Sequence, residues 1–220
     1  MTTQADRISN LEVQVATSEG PITGTLTVPA NATGIVVFAH GSGSSRHSTR
    51  NRQVAGTLQA RGFATLLFDL LTPAEEAVDE VSGHLRFDIP LLAGRLVTVT
   101  DGLRDQPTTS TLRVGYFGAS TGAGAALIAA AQRPAVVRAV VSRGGRPDLA
   151  GDALEAVRAP TLLIVGGLDD EVIELNRRAM ARLACETHLE IVPHATHLFP
   201  EPGALEQVSV LAGEWFERHL

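Results

Sequence analysis

The chain contains no lysine, because all 18 of its basic residues are arginine. This absence excludes mechanisms that need a side-chain amine, such as Schiff-base enzymes, phosphate-binding loops with their lysine, and Ser-Lys hydrolases. The chemistry of the protein must therefore come from hydroxyl, thiol, imidazole, carboxylate, guanidinium or backbone groups.

Cysteine is nearly absent as well, since Cys185 is the single thiol of the sequence. One cysteine excludes an internal disulfide and a zinc site with several thiolates. The composition therefore fits a reducing compartment.

Long hydrophobic runs are also missing. No stretch approaches the roughly 20 apolar residues that span a bilayer, and the polar segment from Met1 to Asn10 lacks the apolar region of a signal peptide. We therefore expect a cytoplasmic protein that does not bind membranes.

Positive charge is in deficit, with 24 acidic residues against 18 basic ones and a net charge of −6. This balance argues against a nucleic-acid partner, because phosphate binding depends on clustered positive charge. Arg46, Arg50 and Arg52 form the one noticeable basic cluster. They are either solvated residues at the start of a helix or residues that bind a carboxylate or phosphate in bidentate fashion.

The remaining composition, with 44% hydrophobic residues, is that of a globular protein, and 220 residues suit one large α/β domain or two small ones. No internal linker, repeat or low-complexity tract divides the sequence, so we expect one domain over residues 1–220. Residues 11–17 and 21–28 alternate apolar with polar side chains around a Gly-Pro turn, which predicts an antiparallel hairpin. Six further runs predict the strands of a mostly parallel sheet with helices on both faces: Gly34–His40, Phe63–Asp69, Leu112–Phe117, Val137–Ser142, Thr161–Val165 and His188–Val192.

Two connections at the carboxyl edge of this sheet limit what can cover it. Arg143–Asp148 spans a few residues, and Leu71–Pro90 spans about twenty residues, among them several acidic ones. Neither is long enough for a separate cap domain.

The strongest motif is a Gly-x-Ser-x-Gly turn formed by Gly118, Ser120 and Gly122, where a predicted strand passes directly into a predicted helix. In this arrangement the serine occupies strained backbone above the sheet, and the residues two before and two after it must be small. The motif therefore predicts Ser120 as a nucleophile.

A serine hydroxyl needs a base, and the base needs an acid that orients it, expected in the chain order serine, acid, histidine. The favoured acid is Asp169, in the turn after a predicted strand. Asp170 and Asp148 are alternatives, since an aspartate at either place could instead cap or begin a helix.

The favoured base is His197, which follows the last predicted strand. A loop of several residues lets it reach back over the sheet. His194 in the same loop is the alternative.

An oxyanion hole is expected at the glycine-rich loop after the first parallel strand, His40–Ser45. The backbone N–H groups of Ser42 and Thr121 are the predicted donors, and His40 is interpreted as a structural hydrogen-bonding residue. The loop lacks the lysine and glycine spacing of a phosphate-binding motif. Arg46 and Arg143, in loops at the same edge, are candidate substrate-binding residues.

These motifs together resemble the dienelactone hydrolase-like group of α/β-hydrolases, through Phe38–Gly43, the Ser120 turn, Gly167-Leu168-Asp169 and Ala195–His197. The resemblance covers the chain from about residue 10 to its end. It implies an α/β-hydrolase fold with an eight-stranded sheet whose second strand is antiparallel, and a triad of Ser120, Asp169 and His197. The most similar chains are lidless bacterial serine hydrolase domains, some of them fused to phosphoribosyltransferases.

The sequence departs from this family at two positions. Dienelactone hydrolase itself uses a cysteine nucleophile where this chain has Ser120, which questions a dienelactone substrate. Similar chains commonly carry glycine three residues before the catalytic histidine, where this chain has His194.

The predicted function is hydrolysis of short-chain or compact carboxylic esters through an acyl-enzyme, with no metal or organic cofactor. A small-molecule ester is then the expected partner, and the sequence leaves a homodimer open. Alternatives on the same triad are thioester hydrolysis, acyl transfer and dienelactone-type lactone hydrolysis. A binding module without catalysis is the alternative from another class.

Overall fold

A computed structural model describes residues 9–220, and it begins with the hairpin predicted from the alternating pattern. Strands β1 (Ser9–Thr17) and β2 (Gly20–Val28) pair antiparallel. Gly20 makes the turn with φ of 124°, a backbone conformation that L side chains rarely adopt. The predicted hairpin is confirmed. The sequence also predicts that Met1–Asn10 is not a signal peptide, and most of that segment lies outside the described residues.

The six remaining strands are β3 (Gly34–Ala39), β4 (Ala64–Phe68), β5 (Arg113–Ala119), β6 (Val137–Arg143), β7 (Thr161–Gly166) and β8 (Thr187–Val192). They run parallel to one another in a single eight-stranded sheet of order β1-β2-β4-β3-β5-β6-β7-β8. Strand β2 is antiparallel to its neighbour β4, as the family resemblance implies. The predicted fold class is confirmed, and each predicted strand lies within a few residues of its observed bounds.

Helices cover both faces of the sheet, as expected for parallel strands buried on both sides. The helices are α1 (Thr49–Ala60), α2 (Pro73–Ser82), α3 (Ile89–Arg104), α4 (Thr121–Gln132), α5 (Asp170–Met180) and α6 (Ala204–His219). Helices α1 and α6 form one layer, and α3, α4 and α5 form the opposite layer.

Strand β5 shows how the core fixes the position of the site. Successive residues Tyr116 and Phe117 are fully buried on opposite faces of the sheet. The Tyr116 hydroxyl lies 2.5 Å from Oγ1 of Thr100, so this buried polar group has a partner, and burial raises the pKa of the phenol. Burying such side chains stabilises the fold by roughly 1.5–3 kcal/mol each, so the strand that leads into Ser120 is held firmly.

The two connections at the carboxyl edge contain short helices and no separate domain within the described residues. The segment between β6 and β7 forms 3₁₀ turns over Pro147–Ala156 with a kink at Gly151. The segment after β4 contains α2, which the sequence reading missed. It begins with a capping box in which Thr72 accepts from the Glu75 N–H and the Glu75 side chain accepts from the Thr72 N–H.

Between residues 9 and 220, no helix is both long and apolar enough to cross a membrane.

Candidate active site

Ser120 lies at a sharp turn between β5 and α4 and has φ of 50° and ψ of −123°. A non-glycine residue rarely adopts a positive φ, so the surrounding structure must hold it there. The Ser120 N–H donates to the Arg143 carbonyl at 3.2 Å, and the Ser120 carbonyl accepts from the N–H groups of Arg146 and Ala123 at 3.0 and 3.1 Å. The strained geometry predicted from the motif is present.

The glycines beside Ser120 are there because the backbone passes too closely for a side chain. A Cβ on Gly118 would lie 2.5 Å from the Cα of Ala123, and one on Gly122 would overlap the carbonyl oxygen of Ala39. Both glycines therefore let α4 start directly against the sheet, which presents the serine hydroxyl above its carboxyl edge.

The structure brings together the three residues that the sequence reading favours for a triad. Nδ1–H of His197 donates to Oδ2 of Asp169 at 2.7 Å, and the Ser120 hydroxyl donates to Nε2 of His197 at 3.3 Å. The carboxylate accepts only, which assigns the proton to Nδ1 and leaves Nε2 free to accept from the serine. This is the orientation that a histidine base requires.

Asp169 and His197 meet because the loops after β7 and β8 are hydrogen-bonded to each other. The Leu168 N–H donates to the Ala195 carbonyl at 2.9 Å, and the Gly167 N–H donates to the Val192 carbonyl at 2.8 Å. These bonds hold the acid and the histidine on adjacent loops of fixed geometry, 28 residues apart in the chain.

The alternative acids and the alternative base lie elsewhere. Asp170 is exposed at the first residue of α5, and Asp148 forms an ion pair with Arg146 at 2.8 Å. His194 is exposed and has φ of 61°. A residue in this conformation is most easily glycine, which is the residue that the family resemblance implies at this position.

The predicted oxyanion donors also lie close together, but they are not equivalent. The Thr121 N–H, at the first position of α4, has no acceptor in the described part of the chain. The Ser42 N–H donates to the side-chain oxygen Oγ1 of Thr121 at 2.9 Å. The preceding residue, Gly41, contacts Ser120 so closely that a Cβ on Gly41 would lie 3.0 Å from that of the serine.

His40 lies at the same edge, yet its two ring nitrogens are bound by backbone groups. Nδ1–H donates to the Gly41 carbonyl at 3.0 Å, and Nε2 accepts from the Leu70 N–H at 3.2 Å. Burial lowers the pKa of His40, so the ring is held neutral. The structural interpretation of this histidine is thus the one the geometry supports.

The side chains of the two arginines predicted to bind substrate contact residues outside the triad. The backbone N–H of Arg46 donates to Oδ1 of Asp69 at 2.8 Å and its guanidinium pairs with Oδ2 of the same residue. Arg143 is buried, donates to Oδ1 of Asn51 at 3.5 Å and stacks 5.9 Å from the ring centroid of Phe199. Burial lowers the pKa of Arg143 to about 10. Their role in substrate binding stays a prediction.

One residue near the site was missed by sequence reasoning. Arg86 approaches the glycine-rich loop, with Nη1 3.9 Å from where a Cβ on Gly43 would lie. Its Nε donates to the buried carboxylate of Asp79 at 2.5 Å. Neither residue belongs to a motif, and the only sequence signal was the acidic character of the segment after Leu71.

The sequence profile of the dienelactone hydrolase family matches residues 22–208 of this chain. The crystal structure of a dienelactone hydrolase from Anabaena variabilis is 59% identical, with a TM-score of 0.95, and covers 97% of this chain and 99% of that one. An esterase from Pyrococcus furiosus is 18% identical with a TM-score of 0.70, covering 96% of this chain and 92% of its own, a likeness of fold alone.

Two curated proteins, from two strains of Mycobacterium tuberculosis, are each 64% identical to this chain over 209 residues. Both are named as candidate phosphoribosyl transferases. The aligned region is 95% of this chain and 46% of each relative, so the chain spans about half the length of the curated relatives it matches.

Proposed function

The chain belongs to the dienelactone hydrolase family, and we propose that it is a serine hydrolase that cleaves carboxylic esters. The observation that carries this proposal is the continuous hydrogen-bonded row of Ser120, His197 and Asp169, with distances of 3.3 and 2.7 Å. This row lies at the carboxyl edge of a parallel sheet, which is where α/β proteins bind ligands.

The proposed reaction passes through an acyl-enzyme. The Ser120 oxygen forms a bond to the ester carbonyl carbon while Nε2 of His197 takes the hydroxyl proton, and Asp169 stabilises the resulting imidazolium. Collapse of the tetrahedral intermediate breaks the bond to the alcohol, which leaves with the proton from His197. Water then attacks the acyl-enzyme by the same steps, releasing the acid and restoring the serine.

The N–H group of Thr121 is the proposed primary oxyanion donor, because it lies at the first residue of α4 and has no acceptor among the described residues. The positive end of the helix dipole favours negative charge at the same place. The sequence also predicts the Ser42 N–H as a donor, but in the structure this N–H donates to Oγ1 of the Thr121 side chain at 2.9 Å.

Compact esters are the proposed substrates. The connections at this edge are short helices and not a cap domain within the described residues, so no separate domain encloses a long acyl chain. p-Nitrophenyl acetate or butyrate should be cleaved with higher kcat/KM than the decanoate. Preference for the decanoate would contradict this part of the proposal.

Labelling with a fluorophosphonate probe tests the nucleophile directly. Wild-type protein should be labelled and should hydrolyse p-nitrophenyl butyrate, and Ser120→Ala should do neither. Ser110→Ala, a serine that precedes β5 whereas Ser120 follows it, is the matched control and should behave as wild type. A labelled Ser120→Ala variant would remove Ser120 as the nucleophile, and an unlabelled, inactive wild type would favour a binding module.

Acyl transfer and thioester hydrolysis use the same triad and are separated by products. Added alcohol or coenzyme A should raise ester or thioester formation above hydrolysis if the protein is a transferase. The phosphoribosyl transferase name of the curated relatives describes proteins about twice as long, and the triad of this chain supports hydrolysis.

A further inference from the structure

The bond from the Ser42 N–H to Oγ1 of Thr121 joins the two segments that supply the oxyanion hole. The residues are 79 positions apart, and their separation is 2.9 Å. In this geometry the Ser42 N–H is directed at a hydroxyl oxygen, so it is not free to serve as an independent donor to substrate. The backbone pair expected from the sequence is therefore one donor short.

The Thr121 hydroxyl itself can supply that donor. A threonine hydroxyl has one proton and two acceptor lone pairs. The Ser42 N–H occupies one lone pair, and the hydroxyl proton has no acceptor in the part of the chain that the structure describes. Thr121 is 5% exposed, so its hydroxyl is shielded from bulk water and its unused proton lacks a protein partner.

The position of this hydroxyl is fixed from two sides. Thr121 directly follows the nucleophile at the first residue of α4. Gly41 lies against the side chain of Ser120, so the loop whose next residue, Ser42, is bonded to this hydroxyl passes directly by the nucleophile.

We propose that Thr121 is a further catalytic residue, and that its hydroxyl donates a hydrogen bond to the developing oxyanion alongside its own N–H. The hydrogen bond from the Ser42 N–H polarises the Thr121 hydroxyl and makes it a stronger donor, since consecutive hydrogen bonds strengthen one another. The proton stays on threonine throughout, so no covalent bond changes. This inference rests on the proposed esterase function.

Such a donor acts mainly on the transition state, because negative charge on the substrate oxygen appears only there. Loss of the hydroxyl should lower kcat and leave KM nearly unchanged. If the hydroxyl merely tied two loops together, its loss would lower stability and leave kcat unchanged. If the hydroxyl blocked the oxyanion hole, its loss would raise kcat.

The test compares Thr121→Val, which removes the hydroxyl at nearly constant shape, with Thr121→Ser, which keeps it. Thr121→Val should lower kcat for p-nitrophenyl butyrate by about 100-fold with KM within about 3-fold, and Thr121→Ser should retain most of the rate. Thr109→Val is the matched control, since Thr109 is also buried and its hydroxyl donates to the Leu103 carbonyl at 2.6 Å. It should lower stability without lowering kcat.

A transition-state analogue gives the second measurement. A trifluoromethyl ketone should bind Thr121→Val more weakly than wild type by about the same factor as the fall in kcat/KM. An unchanged or raised kcat in folded Thr121→Val, or an unchanged affinity for the ketone, would overturn the proposal.

Fluorophosphonate labelling separates this proposal from the underlying function. If wild type is labelled and hydrolyses ester but Thr121→Val has the same kcat, the proposed role of the hydroxyl is wrong and the proposed esterase function stands. If wild type is neither labelled nor active on esters, both are wrong.

Discussion

His40 and His197 each follow a parallel strand and lie at the same edge of the sheet, yet their surroundings differ. Both ring nitrogens of His40 are bound by backbone groups, and burial lowers its pKa. His197 is partly exposed, with 38% of its side chain accessible, and its nitrogens face a carboxylate and a serine hydroxyl. The partners of the ring, and not its place in the fold, decide what each histidine can do.

The contrast separates two uses of one side chain. A neutral imidazole with backbone partners fixes the start of the glycine-rich loop against the chain after β4, at Leu70. An imidazole with an acid on one nitrogen and a hydroxyl on the other can accept a proton and hold it. The first contributes to stability and the second to rate, and substitution at each should show this.

The largest expected effect is at His197. His197→Asn should lower kcat/KM for p-nitrophenyl butyrate by about 10⁴-fold or more, because the serine loses its base. Its free energy of unfolding, measured in urea, should change by no more than about 1 kcal/mol, as is usual for a partly exposed residue. A folded variant with substantial activity would break the comparison.

At His40 the expected effect is on stability. His40→Leu removes the acceptor of the buried Leu70 N–H, and an unsatisfied buried donor costs about 1–3 kcal/mol. Urea unfolding should show a loss in that range, while the folded variant keeps kcat within about 10-fold. If folded His40→Leu were as inactive as His197→Asn, the division into a structural and a catalytic histidine would be wrong.

The pH dependence of stability gives a second test of His40. Because its pKa is lowered in the folded protein, the unfolded chain binds more protons below the ordinary value of about 6.5. Stability should therefore be complete above pH 6.5 and fall as the pH drops below it, by at most about 1.4 kcal/mol per pH unit for one group.

His40→Leu should flatten this slope. The negative charge of the neighbouring Asp69 raises the pKa of His40, but less strongly than burial lowers it. His219, whose pKa burial also lowers, contributes with the same sign, so the comparison is best made in a His219→Gln background. An identical slope with and without His40 would contradict a neutral, buried role for this ring.

The sequence predicted those parts of the site that depend on local geometry. The Ser120 turn was recognisable because Gly118 and Gly122 are required by contacts within a few residues of chain or with the adjacent strand. The strands were recognisable because parallel strands buried on both faces are continuous apolar runs.

Contacts between distant segments could not be predicted. Asp169 and Asp170 are neighbours at a helix start, and only the bonding of the two loops, such as Leu168 N–H to the Ala195 carbonyl, directs Asp169 to the histidine. The bond between Ser42 and Thr121 depends on side-chain placement across 79 residues, which no spacing rule specifies.

The smallest expected effect concerns the third histidine of the comparison, His194, which shares a loop with His197. Its φ of 61° strains a residue that carries a Cβ. His194→Gly should relieve this strain, offset in part by the greater freedom of glycine in the unfolded chain, for a net gain of about 0.5 kcal/mol. His194→Ala keeps the Cβ and should show no such gain in urea unfolding, and both variants should retain kcat. An equal gain from alanine would trace the effect to loss of the exposed imidazole, whereas a gain from glycine alone would show that this position demands backbone freedom and contributes nothing to the chemistry of its neighbour.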